Sequence, residues 1–240
     1  MIRTVAIVPV RGRTGGKTRL APMFDAADRA ALVESMARHV VSAIQDAGVA
    51  DLTVIVSRDH DFRLADQRDI PALTYIVQPE DQPGLNAALD FGRKWALQNG
   101  ADRLLVMSAD LPLLEPADVR ELSDRRAPVV IAPDRFATGT NGIMLGDPRR
   151  TARDAAAEFS FRFGAGSFQD HLAEASRLGV MADTASAPGT GFDLDTAEDW
   201  NRLPAPVRQR LLASPDAHPE AERLTLRMSL ANHAAWAEPV

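Results

Sequence analysis

The seven residues TVAIVPV at 4–10 are apolar or β-branched on both faces of any strand they form, and only a sheet covered on both sides accommodates such a strand. A basic, glycine-containing loop, RGRTGGKTR, follows it. From about Asp25 the apolar period changes: Leu32, Val33, Met36, Val40 and Ile44 recur at three- and four-residue spacing, with Asp25 or Asp28 as cap and Gly48 as stop. The alternation then continues along the chain. Strands are predicted at 52–57, 73–78, 103–108, 129–132, 141–145 and 180–184, and helices at about 61–67, 85–98, 116–124, 167–178 and 196–202, the last capped by Thr196. Strands separated by helices demand crossover connections, so the expected fold is α/β with a largely parallel sheet between two helical layers.

The chain of 240 residues, 45% hydrophobic and 25% charged, is long enough to bury one substantial core. The expectation is one domain over 1–203 and a proline-, alanine- and arginine-rich helical extension over 204–240. A net charge of −6 disfavours a nucleic-acid backbone as partner, so phosphate binding must come from a local basic cluster. The absence of cysteine excludes disulfides, thiolate nucleophiles and cysteine-ligated metals. The apolar run Val5 to Val10 is far short of the ~20 residues of a membrane span, no secretory leader is expected, and cytoplasm is the default compartment.

Three clusters carry candidate chemistry. Arg11, Arg13, Lys17 and Arg19 lie on the loop after the first strand, where Gly12, Gly15 and Gly16 let backbone N–H groups approach phosphate oxygens. The segment GGKT is not a P-loop, because the spacing from Gly12 to Gly16 is one residue short and Pro22 forbids a clean helix after Thr18. A solvated surface loop is the alternative. In SADLPLL, Asp110 stands just past the carboxyl end of a central strand, where open α/β sheets bind ligands, and its hard oxygens suit magnesium. A turn or helix-cap role is its alternative. In FDLDT, Asp193 and Asp195 project to one side of an extended segment, and two carboxylates so placed repel each other unless a cation joins them; the alternative is that Asp195 merely precedes the helix capped by Thr196. The stretches APDRFATGTN and FGAGSF add hydroxyl and backbone donors that suit an anion and equally suit ordinary turns.

In this order, VPVRGRTGGKTRLAP, QPGLNAAL, SADLPLL, APDRFATGTN, FGAGSFQDHLAEA and GFDLDTAEDW resemble the CofC/FbiD guanylyltransferases of coenzyme F420 biosynthesis, over about residues 4–203. The resemblance implies the nucleotide-diphospho-sugar transferase (GT-A-like) fold, a three-layer α/β/α sandwich with a mostly parallel mixed sheet. It implies transfer of GMP from GTP to the phosphate of phosphoenolpyruvate, 3-phospho-D-glycerate or 2-phospho-L-lactate, with pyrophosphate released and the activated acid passed to a deazaflavin transferase. Carried over by position, Asp110, Asp193 and Asp195 would hold magnesium, and Thr140, Gly164 and Ser167 would receive the acid's phosphate. Arg11, Arg13 and Lys17 would hold the triphosphate, with Gly84, Leu85 and Asn86 near the nucleoside, and Lys17 and Asp110 would be the catalytic pair. The first loop departs from the family in carrying Arg11 where relatives often have lysine, and in the glycine-rich run Arg13-Thr14-Gly15-Gly16.

An acceptor phosphate with second pKa near ~6 is already largely ionised at neutral pH, so the reaction needs no dedicated general base. Catalysis by positioning and charge neutralisation is then expected. The rival readings are another nucleotidyltransferase of the same fold, acting on molybdopterin or a sugar phosphate, and a non-catalytic nucleotide-binding regulator. The former tends to open on an LAGGxSxRMG-like loop, which is not here. Apolar tail positions Leu224, Leu226, Met228, Leu230 and Trp236 suit a homodimer contact.

Overall fold

The computed structural model describes residues 2–12, 17–64, 72–146 and 156–213. Arg13, the expected short helix beyond residue 64 and the tail positions proposed for a dimer contact lie outside these residues.

The chain builds a seven-stranded sheet of β1 (Thr4–Val10), β2 (Leu52–Ser57), β3 (Leu73–Val77), β4 (Arg103–Met107), β5 (Val129–Pro133), β6 (Thr140–Leu145) and β7 (Ala182–Thr184), in the order β3-β2-β1-β4-β6-β5-β7. β6 runs antiparallel to β4 and β5, whereas the other pairings are parallel, so the sheet is mixed and mostly parallel as expected. Side chains alternate across it. Ala6, Val8, Ile55, Leu105, Val130 and Met144 face α1 (Ala26–Ala47) and α3 (Pro116–Asp124). Val5, Ile7, Val54, Val106, Ile131 and Ile143 face α2 (Leu85–Gln98) and α4 (Ser167–Arg177). Burial on both faces explains why TVAIVPV carries no solvent-facing polar alternation.

The long helix α1 forms where the sequence supplies both ends. Asp25 accepts a hydrogen bond from the Asp28 N–H at 2.8 Å, and Gly48, in the left-handed region, closes the other end. Between them Leu32, Met36, Val40 and Ile44 form the buried stripe that their spacing predicts. The expected helix at 61–67 is corrected in its visible part: residues 61–64 form a turn and irregular backbone, held by Phe62 and Leu64, which are buried without a helical ladder. The strand expected at 180–184 shortens to Ala182–Thr184.

After β7 the chain makes one turn of helix, α5 (Pro188–Gly191), then α6 (Ala197–Arg202) and α7 (Ala205–Leu212). A third apolar cluster, away from both sheet faces, joins Leu20, Leu32, Met36, Leu194, Trp200, Leu203 and Leu211, with Phe24 edge-on to Trp200 at 4.9 Å. The first turns of the expected C-terminal extension therefore pack on the body of the protein through Leu211.

The close approach of α5 to the β4–α3 connection depends on Gly189. A Cβ at that position would overlap the Asp118 carboxylate and stand 2.5 Å from the Leu113 carbonyl oxygen. Gly189→Ala is therefore expected to lower stability by about 1–3 kcal/mol. At roughly 2–4 °C per kcal/mol for a domain of this size, thermal denaturation should show a midpoint several degrees lower. An unchanged midpoint would mean that the connection yields without cost.

Candidate functional site

β1 is flanked by β2 on one side and β4 on the other, so the crossovers diverge there and leave a crevice at the carboxyl ends of the strands. Gly12 after β1 and Asp110 after β4 both stand at this edge. Gly12 leaves β1 with φ +92° and lies so close to Asp59 that a Cβ would stand 2.7 Å from the Asp59 Cβ, which fixes the start of the basic loop. Lys17 re-enters at φ 52°, ψ 43° and caps the 3-10 turn Thr18–Leu20. A lysine in the left-handed region is uncommon, and such backbone strain persists where the surroundings over-determine it.

Here the surroundings are acidic. Lys17 Nζ donates to Asp110 Oδ2 at 2.5 Å and to Asp195 Oδ1 at 2.7 Å, with only 11% of the lysine side chain exposed. Burial opposes its charge, but Asp110 and Asp195 outweigh it and hold the ammonium above its ordinary value. Asp193 stands beside them. Burial, then the Asp110 charge, then that of Asp195, push its carboxyl above the usual range, while Asn141 Nδ2 approaches it at 3.5 Å. The Leu194 N–H donates to the Asp110 carbonyl at 3.0 Å and locks the FDLDT segment against the end of β4. Lys17 thus joins two aspartates from distant stretches, Asp110 and Asp195, while Asp193 feels the charge of both and has no ion pair to the lysine among the described residues. The lysine itself faces carboxylates instead of projecting as a free cation, because a half-buried acidic crevice attracts the nearest ammonium.

The segment bearing Asp193 and Asp195 is braced from behind. Asp199 accepts at one oxygen from the N–H groups of Asp195 (3.2 Å) and Thr196 (2.8 Å) and from the Thr196 hydroxyl (2.8 Å), and its other oxygen pairs with Arg135. Arg135 is stacked between the rings of Phe136 and Phe192, at 4.8 and 4.6 Å, and its backbone N–H donates to the Gly191 carbonyl. Thr196 doubles as the cap of α6, as its position predicts.

A cleft of about 310 Å³ opens at the ends of β1, β2 and β3, lined by Arg11, Arg58, Gln78, Gly84, Leu85 and neighbouring apolar side chains. It places Arg11 beside Gly84 and Leu85. Asn86 plays a different part: its amide donates to the Phe163 carbonyl at 3.1 Å and accepts from the Phe163 N–H at 2.8 Å, tying α2 to the segment before α4. Arg58 and Gln78 escaped the sequence reading. Their signal was positional, since Arg58 directly follows one predicted parallel strand and Gln78 is the last residue of another.

Thr140, Gly164 and Ser167 lie on segments that meet at the start of α4. Gly164 and Ser167 are joined by the Ser167 N–H to the Gly164 carbonyl (3.2 Å), and the Phe168 N–H reaches the Thr138 carbonyl (3.2 Å) on the β5–β6 hairpin, two residues from Thr140. Gly164 is exposed, whereas Ser167 and Thr140 are buried. Thr140 Oγ1 lies 3.0 Å from Nδ1 of His171, a fully buried residue that the sequence reading passed over. Its signal was a histidine in the apolar stripe of α4, with Phe168, Leu172 and Ala175.

Comparison with known proteins bears on this arrangement. The family described as guanylyl transferase CofC like matches residues 4–204. The chain is 38% identical over 203 residues to the phosphoenolpyruvate guanylyltransferase of Rubrobacter xylanophilus, covering 83% of this chain and 93% of that protein. It is 33% identical to the 2-phospho-L-lactate guanylyltransferase of Methanothermobacter thermautotrophicus, covering 84% of each. Among solved structures, a Desulfovibrio desulfuricans protein named as a nucleotide-diphospho-sugar transferase superposes with a TM-score of 0.65 at 17% identity, over 95% of this chain and 98% of its own, which shows a shared fold.

Proposed function

The chain belongs to the CofC-like guanylyl transferase family, and from that premise we propose that it transfers GMP from GTP to the phosphate of a three-carbon phosphorylated acid, releasing pyrophosphate. The acid is phosphoenolpyruvate, 3-phospho-D-glycerate or 2-phospho-L-lactate, and the activated product is consumed by a deazaflavin transferase of the F420 pathway. No described helix is long and apolar enough to cross a membrane, and the reading assigns the reaction to the cytoplasm.

The observation that carries the reading is the pairing of Asp110 and Asp195 with Lys17 at the carboxyl edge of the sheet, with Asp193 beside the two carboxylates. An acceptor phosphate oxygen attacks the α-phosphorus in line, the bond to the β-phosphate bridging oxygen breaks, and pyrophosphate leaves. Two anions must be forced together for this, so the chain's task is to position and neutralise them. The cleft with Arg11 and Arg58 receives the nucleotide, while Thr140, Gly164 and Ser167 receive the acid's phosphate.

The carboxylates fit a divalent cation. Asp110 and Asp195 pair with the Lys17 ammonium, and the carboxyl of Asp193 beside them is displaced upward by burial first and then by the charges of Asp110 and Asp195. Among the described residues no three acidic or histidine side chains form a metal cage by themselves. Magnesium ordinarily takes one or two carboxylates and completes its shell with phosphate oxygens and water, which matches a donor set of this kind. Held by Asp110, Asp193 and Asp195, it would withdraw charge from the phosphates as they react.

The test is pyrophosphate release from GTP, ATP, CTP and UTP with magnesium and each of the three acids. Release with GTP and one acid is expected. Preference for CTP or UTP, or turnover only with a sugar phosphate or molybdopterin, would replace this reading with the rival nucleotidyltransferase.

A further inference from the structure

His171 is buried on α4 between the rings of Phe159 and Phe163, with centroids 5.6 and 4.8 Å away, and both of its ring nitrogens are engaged. The Arg162 backbone N–H lies 2.9 Å from Nε2. A backbone amide can only donate, so Nε2 is the unprotonated acceptor of the ring, and the single proton of the neutral imidazole resides on Nδ1. That proton is donated to Thr140 Oγ1 at 3.0 Å. The hydroxyl therefore receives a hydrogen bond from the ring, and its own proton must be directed elsewhere.

A β-bulge sets up this contact. Ala132 pairs with Gly142 and Pro133 with Thr140, so Asn141 is the additional residue on β6. Gly142 faces Met107 and Ala132 on the α1 and α3 side of the sheet. In an unbroken strand Thr140 would share that face, because side chains repeat with period two. With the bulge it meets α4 instead, and Asn141 turns toward Thr190 and Asp193.

The geometry points to His171 as a positioning residue, which holds the Thr140 hydroxyl so that its proton is offered to the phosphate of the acceptor at the entrance of α4. This rests on the reading of Thr140 as an acceptor contact. Burial, the largest influence on His171, lowers its pKa to about 4, in keeping with a ring that serves as a neutral donor at physiological pH. The same contact reaches the nucleotide side: Arg162 precedes Phe163, whose backbone is bound by Asn86 on the first turn of α2, next to Gly84 and Leu85 of the cleft.

The experiment uses the full chain with GTP, magnesium and whichever of the three acids supports turnover. His171→Phe keeps an aromatic ring and removes both hydrogen bonds, and it is expected to raise the acceptor KM about tenfold while the GTP KM stays within about twofold. Thr140→Val should give a similar rise, and the double variant should add little to either single change. His171→Gln, whose amide can both donate and accept, should recover most of the loss. Independently of any substitution, nitrogen-15 NMR of histidine-labelled wild-type protein should show His171 protonated at Nδ1, with that signal responding to the acceptor. A native acceptor KM in His171→Phe with only a lower Tm, or an Nε2-protonated ring, would overturn the assignment. An unchanged acceptor KM in Thr140→Val would instead sink the reading of Thr140 on which it stands. If His171→Phe does not fold, the NMR tautomer decides.

Discussion

Asp193→Asn is expected to lower kcat by about two to three orders of magnitude while leaving the protein as stable as before or more so. The two effects have one cause. Asp193 has no ion pair of its own in the described structure, and burial together with Asp110 and Asp195 raises its carboxyl above the ordinary range. A carboxylate with a raised folded-state pKa costs stability at neutral pH, and the cost disappears as pH falls through that pKa. The amide removes the repulsion without removing a packed volume, so Tm should hold or rise, and the gain should shrink in mildly acidic buffer. Asp110→Asn should lose comparable activity yet show no such gain, because it gives up the 2.5 Å pair with Lys17. Near-native turnover of both variants at limiting magnesium would show that these carboxylates do not handle the phosphates.

The largest structural penalty is expected from Asp199→Ala. Arg135 is clamped between Phe136 and Phe192, with Nε and Nη1 buried and without hydrogen-bond partners, and Asp199 is the anion it faces. Removing one member of a buried pair leaves the other charge uncompensated, a loss of about 3–5 kcal/mol. Tm should then fall by roughly 10 °C. Turnover should fall as well, because the Asp195 and Thr196 N–H groups lose the oxygen that orients them. For Asp199 itself, burial opposes ionisation, but hydrogen bonds from Thr196 and then Arg135 prevail and hold its carboxyl below the ordinary value. With a depressed folded-state pKa, its contribution is present above the unfolded carboxylate pKa near ~4 and is lost as pH falls through the lower value. Asp199→Asn should therefore weaken the acid limb of the stability profile, and an unchanged limb would assign acid unfolding to other groups.

Much of this molecule was legible before its coordinates, and what was legible was local. Asp25 and Gly48 bound α1 because a cap and a left-handed terminator act within a few residues. TVAIVPV announces a doubly covered strand through its own composition. Asp110 was identifiable as an acidic group past a strand end and Asp193 and Asp195 as a pair on one side of an extended segment, and the family resemblance suggested a common purpose for them. The partner of Lys17 was not legible: Asp195 is 178 positions away, and only the strand order brings them together. Nor does any periodicity announce the bulge at Asn141, the tautomer imposed on His171 by a backbone amide, or the commitment of Asn86 to Phe163. Each depends on which segments become neighbours. The helix expected at 61–67 failed in its described part because Phe62 and Leu64 satisfy an apolar pattern equally well from irregular backbone that dips into the core.

The third apolar cluster has a bearing on how such a protein can diversify. Leu20 follows the lysine by three residues and Leu194 sits between the two aspartates, and both are buried in the same group with Trp200 and Met36. Lys17 and the Asp193/Asp195 segment are thereby anchored in an apolar cluster separate from the two that flank the sheet, while Asp110 is held through Leu111 by one of the latter. Under the proposed function, replacements that reshape the cleft and the hairpin can accumulate while the spacing between Lys17 and Asp195 is preserved, so that one chemical engine could be refitted for different acids.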